Sequence, residues 1–167
     1  MAAGDIKKAY AASVALTVTN LHSLATSATW VAGWESAEID NTVNLYLDYA
    51  VEALIRVGAA PTAGEIRMYL VKERLDATWP DVFDGTESAE TITDTEIRDA
   101  IARPAAATVT DATASRDYFL TCPSVAAVFG GNMPRKFSVF ITHSTVQALA
   151  ATTNAVAVTG SYETVAP

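Results

Sequence analysis

The stretch that decides the fold runs Leu45-Tyr46-Leu47-Asp48-Tyr49-Ala50-Val51-Glu52-Ala53-Leu54-Ile55-Arg56-Val57, breaks at Gly58-Ala59-Ala60-Pro61-Thr62-Ala63-Gly64, and resumes as Glu65-Ile66-Arg67-Met68-Tyr69-Leu70. Odd positions from Leu45 to Val57 are apolar, while Asp48, Glu52 and Arg56 fall on even ones. That is a strand with one buried face. Gly and Pro punctuate the loop, and alternation returns at Ile66, Met68 and Leu70 with Arg67 opposite. Thr42–Arg74 therefore reads as a β-hairpin of two long strands. A helix competes, because Asp48, Glu52 and Arg56 are also spaced by four. As a strand it leaves Tyr46 and Leu54 on the polar face, so that face too is expected to be partly covered.

Outward from this stretch, 167 residues suffice for one domain with its own core, and no linker or internal repeat divides them. Residues 1–12 read as a loosely ordered arm. Ala is interleaved with Thr, Val and Ser rather than with Leu, Glu and Lys, which favours strands over helices. Nineteen acidic against eleven basic residues give a net charge of −8. Such a chain repels phosphate backbones and anionic lipid, so neither nucleic acid nor a membrane is an expected partner. The single cysteine, Cys122, can form no internal disulfide and sits in an apolar setting that reads as core. Signal-peptide and membrane-span patterns are not recognisable, and the expectation is a soluble protein made in the cytoplasm.

In chain order, Val14, Leu16 and Val18 mark a first strand, and Ala28–Glu35 a second with Trp30, Trp34 and a bulge at Gly33. Glu35–Asn44 connects to the hairpin. Asp76–Glu90, with Trp79-Pro80 and Asp84-Gly85, reads as a long acidic surface loop. Thr93 and Glu96 have capping-box spacing for a helix over Asp94–Ala102, with Ile97 and Ile101 buried and Pro104 as the stop. Ala106–Val109 and Asp117–Cys122 are strands separated by a polar turn over Asp111–Ser115. Pro123 starts a helical turn through Phe129 that Gly130-Gly131 close. Phe137, Val139 and Ile141 mark another strand, and Ala155–Tyr162 the last. Strands without intervening βα units imply a mainly β fold, an antiparallel, jelly-roll-like β-sandwich with one or two short helices.

The sequence offers little chemistry. Asp76, Asp81, Asp84, Glu87 and Glu90 invite a calcium reading, but Asp81-x-x-Asp84-Gly85-x-Glu87 does not follow the EF-hand pattern, and a solvated loop is the simpler expectation. His22 and His143 lie far apart, and His143 reads as a strand-end surface or hydrogen-bonding residue. No G-x-S-x-G occurs, and Gly130-Gly131 is too short to cradle phosphate. Trp30, Trp34 and Trp79 suit either core packing or a sugar-stacking platform. Neither an enzyme nor a metal or cofactor is expected.

Three segments together, Trp30–Asp48, Pro80–Thr91 and Ser124–Pro134, resemble small virion structural proteins of tailed bacteriophages. The resemblance covers most of the chain beyond the N-terminus, and its motifs are structural. It implies a capsid cement or decoration protein on the outer surface of the shell, with the major capsid protein and further copies of itself for partners. Closed rings of two or three copies are expected, trimers favoured by the local three-fold positions of a shell. A tail-fibre carbohydrate- or receptor-binding module is the alternative. Because interface cores favour Trp, Met and Arg over other charged residues, Trp79, Phe83, Met133 and Arg135 are the expected contact residues.

Overall fold

A computed structural model describes residues 5–60 and 63–165, apart from the side chain of Ile101. The chain runs β1 (Ile6–Tyr10), β2 (Val14–Ala15), β3 (Ala32–Glu35), β4 (Ile39–Asp40), β5 (Asp48–Arg56), β6 (Glu65–Lys72) and β7 (Ser88–Thr91). It continues with α1 (Thr95–Ile101), β8 (Arg103–Val109), β9 (Asp117–Cys122), α2 (Val125–Val128), β10 (Lys136–His143) and β11 (Ala155–Val165). Sheet A has the order β1-β11-β5-β9 with β2 also beside β11, and sheet B the order β7-β3-β10-β6-β8 with β4 also beside β10. The two antiparallel sheets stack as a β-sandwich. Setting aside β2, β4 and β7, the remaining strands taken in chain order stand first-eighth-third-sixth in sheet A and second-seventh-fourth-fifth in sheet B.

The expected hairpin does not form. β5 pairs with β11 and β9 in sheet A, whereas β6 pairs with β10 and β8 in sheet B. Val51, Ala53 and Ile55 instead share one core with Ile66, Met68 and Leu70 from the opposite sheet. A period of two reports which face of a strand is buried, and it is the same whether the next strand lies alongside or across the core. The strand also starts later than its pattern: Leu45 has a left-handed backbone (φ 51), and Leu45 and Leu47 are exposed. Of the connecting loop, Pro61 and Thr62 lie outside the described residues.

Sheet B is covered on both sides. On its outer face Tyr69, Val71 and Phe140 form a second apolar cluster with Phe83, Ile92 and Ala102, against which Trp79, Val82 and Ile97 pack. The acidic loop up to Glu87 and α1 thus lie over the sheet, whereas the end of the expected loop, Ser88–Glu90, pairs with β3 as part of β7. The outer face of sheet A carries Leu54, which is half-buried between its cross-strand neighbours Phe119 and Ala155. Tyr46 folds inward over Gly160, stacking near Tyr49 and Tyr162.

The N-terminal arm is ordered from Ile6 to Tyr10, because β1 bonds to β11 over Ser161–Val165. β5 reaches only as far as Ser161, so the distal part of this ribbon, ending at the pair Ile6 and Val165, runs past β5. The residues before Asp5 lie outside the described ones.

Local signals resolve differently in several places. Of the first expected strand only Val14 and Ala15 pair as a strand. Trp30 has φ 64 and precedes β3, which runs in regular register through Gly33. A Cβ at Gly33 would lie 2.5 Å from the Phe140 ring and from the Ile141 carbonyl, so close packing rather than a bulge requires the glycine. The bulge falls at Met68/Tyr69, opposite β8, where Pro104 joins the sheet as Tyr69's partner. α1 is capped by Asp94, which accepts from the Ile97 N–H (2.7 Å), not by Thr93. Thr93 bonds to Asp81 instead. Ser124 caps α2, and Gly130 and Gly131 close it with φ +75 and +90. Cys122 is buried as expected, and burial raises its thiol pKa.

A Cβ at Gly160 would lie 2.2 Å from Tyr46 Cδ2. Gly160→Ala is expected to destabilise the protein by about 1–3 kcal/mol, and by clearly less in a Tyr46→Ala background. Urea unfolding of the four proteins in this double-mutant cycle measures the coupling.

Candidate interaction surface

The acidic loop is organised by its own hydrogen bonds. Glu87 accepts from Trp34 Nε1 (2.7 Å) and from the Asn20 backbone N–H (2.7 Å) and side-chain amide (2.9 Å). Asp81 accepts from Thr93, Asp84 from the Thr86 N–H, and Asp76 from Thr78. Of these carboxylates Glu87 ties the loop to β3, while Asp76 and Asp84 bond within the loop and Asp81 reaches Thr93 ahead of α1. Among the described residues no group of three or more His, Cys, Asp and Glu side chains gathers as a metal set.

Beneath the loop lies a group that the pattern of the sequence did not reveal. Glu35 is fully buried at the end of β3, where its carboxyl accepts from the backbone N–H groups of Gly85 (3.0 Å) and Asp84 (3.3 Å). Ser138 Oγ sits beside it but meets no partner in full hydrogen-bonding geometry. Loss of hydration outweighs these contacts and pushes the Glu35 pKa from 4.5 up to about 7. His143, at the end of β10, is the hydrogen-bonding residue rather than the surface one of its two expected readings, and is fully buried. Its Nε2–H donates to the Leu24 carbonyl (3.0 Å), and burial lowers its pKa from the usual 6.5.

The four expected contact residues separate into two pairs. Phe83, only 3% exposed, belongs to the second core, packed edge-on against Phe140. Trp79 is half-buried in the same cluster, its ring held against Gly85. An aromatic in an acidic loop looks the same in sequence whether it faces solvent or the sheet beneath. The other tryptophans are also engaged: Trp34 is buried, and the Arg67 guanidinium lies 3.8 Å from the centre of the half-buried Trp30 ring. Three indoles so placed do not make a flat stacking platform.

Met133 and Arg135, by contrast, come together with residues from the far end of β6. They line a cleft of about 240 Å³ with Lys72, Arg74, Leu75 and Phe129, between the turn following β6 and the connection from α2 to β10. Backbone bonds fix both walls: Glu73 donates to the Lys136 carbonyl (3.1 Å), Ala77 to Arg74 (3.1 Å), and Gly131 to Ala126 (2.7 Å). Leu75 projects from the turn fully exposed. Lys72 Nζ stands 5.7 Å from the centre of the Phe129 ring, and Arg74 is 3.5 Å from Asp76. The basic side chains flanking β6 and β10 were visible in the sequence, but not that they would share a cleft. No protein-family model, curated protein or solved structure matches the chain.

The raised Glu35 pKa has a definite consequence for stability. Between about pH 4.5 and pH 7 the folded protein holds a proton that the unfolded chain has released, so stability is greatest at the acidic side and falls as pH rises through 7. The Glu35 contribution to this loss is expected to be of order 3 kcal/mol between pH 5 and pH 8. Glu35→Gln, which stays neutral and still accepts from Gly85, should remove most of that slope. Chemical denaturation across the pH range measures both.

Proposed function

We propose that the protein is a non-catalytic structural subunit of a tailed-bacteriophage virion, a cement or decoration protein that sits on the outer face of the capsid and binds the major capsid protein. The observation that carries the reading is the strand order, first-eighth-third-sixth against second-seventh-fourth-fifth. We read this order as a double-sheet jelly roll, an architecture used by viral capsid and lectin domains. Between those two uses, the placement of the tryptophans favours the coat role, because a sugar platform needs an open indole face. A net charge of −8 suits the outside of a shell better than a lining packed against DNA. Fold alone is an analogy, and the resemblance in three sequence segments adds to it independently. Copies related by the local three-fold positions of the shell complete the arrangement.

Cryo-microscopy of the intact particle tests this reading. Density for the chain is expected on the outer capsid surface, in contact with the major capsid protein. Density confined to the tail would overturn it.

A further inference from the structure

The cleft beside Leu75 departs from the rest of the molecule in charge. In a chain of net charge −8, its lining brings Lys72, Arg74 and Arg135 together, with Glu73 as the opposing charge. Arg74 also meets Asp76, but both side chains are more than half exposed and such a pair holds an arginine only weakly. Lys136, the next cation, is occupied by Glu38 at 2.9 Å. Between the cations lie Met133 and Phe129, both half-buried, with Leu75 fully exposed at the rim. Free anions gain nothing from that apolar surface, and a nucleic-acid backbone would meet the net negative charge of the whole chain. The volume, about 240 Å³, suits one or two side chains rather than a folded domain. Arg and Met are also residues enriched at the centres of protein interfaces, and guanidinium groups bind carboxylates in paired hydrogen bonds.

We propose that this cleft is a docking site for an acidic segment of another protein chain, one that sets an apolar side chain on Leu75 and Met133 and carboxylates against Arg135 and Lys72. Its walls are hydrogen-bonded through the ends of β6 and β10, so little ordering is needed on binding. The site is read from the cleft alone and stands whether or not the partner is a capsid protein.

The full chain is panned against a display library of random short peptides, and an enriched peptide is synthesised for fluorescence-anisotropy titration. Enrichment of acidic peptides carrying an apolar residue is expected. Affinity should fall about tenfold or more in Lys72→Glu/Arg135→Glu. Lys7→Glu/Lys8→Glu on β1 changes the net charge equally and should have little effect. Leu75→Ser, at a fully exposed position where folding is not at risk, should weaken binding several-fold. Three results overturn the proposal: no enrichment, enrichment without acidic bias, or equal loss in the two charge-reversed proteins. Unchanged affinity in Leu75→Ser overturns its apolar part.

Discussion

Sheet B is sandwiched between two apolar layers, and most of the architecture follows from that. In β10 the run from Phe137 to His143 is buried throughout, with Phe137, Val139 and Ile141 facing sheet A and Phe140 facing the covering loop. Most polar side chains on a strand in that position need partners, and Ser138 Oγ beside Glu35 is the exception. Thr142 donates to the Ala32 carbonyl (2.6 Å), and His143 bonds to Leu24. The second layer also fixes the fate of the acidic loop. Its apolar residues must reach Phe140 and Tyr69, and its carboxylates and backbone N–H groups then pair with what lies beneath.

That arrangement draws the aromatics of the acidic loop under it and away from the open surface that their sequence setting suggested. Glu35, Glu87 and Asp81 hold the loop down, and Phe83 and Trp79 fill the space under it. Just ahead of the loop, where β6 runs out and β10 begins, Arg74 and Leu75 stay exposed. Side chains there combine exposed apolar area with cations on a rigid frame. The proposed docking cleft therefore adjoins the loop rather than lying on it.

Much of the fold was legible because burial leaves a simple mark on strands. β5, β6, β9, β10 and β11 all overlap the strands expected there, β5 beginning three residues late, and the helical turn closed by Gly130-Gly131 is where its signals lie. What alternation does not carry is the identity of the neighbour, which is why β5 and β6 read as a hairpin although they face each other across the core. The helix at Thr95–Ile101 was legible, but its cap was not, since Thr93 and Asp94 both offer an acceptor and only the contact of Thr93 with Asp81 separates them. Met133 and Arg135 were accessible to reasoning from residue type. Their union with Lys72 and Leu75 depends on the pairing of Phe137 with Lys72, a long-range register that no local window contains. Glu35 was hidden for the same reason: its burial depends on a loop fifty residues later in the chain folding back to bond with it.

The β1–β11 ribbon has a mechanical consequence. Ile6 and Val165 face each other as cross-strand partners, so the two strands end side by side at the same edge of the ladder. Force applied between them would open that ladder one pair at a time, like a zipper, rather than shearing all its bonds together. Five residue pairs loaded in this way yield at low force, well before the sandwich is strained. Tension between Ile6 and Val165 would therefore load this ribbon before it loads the paired faces of the two sheets.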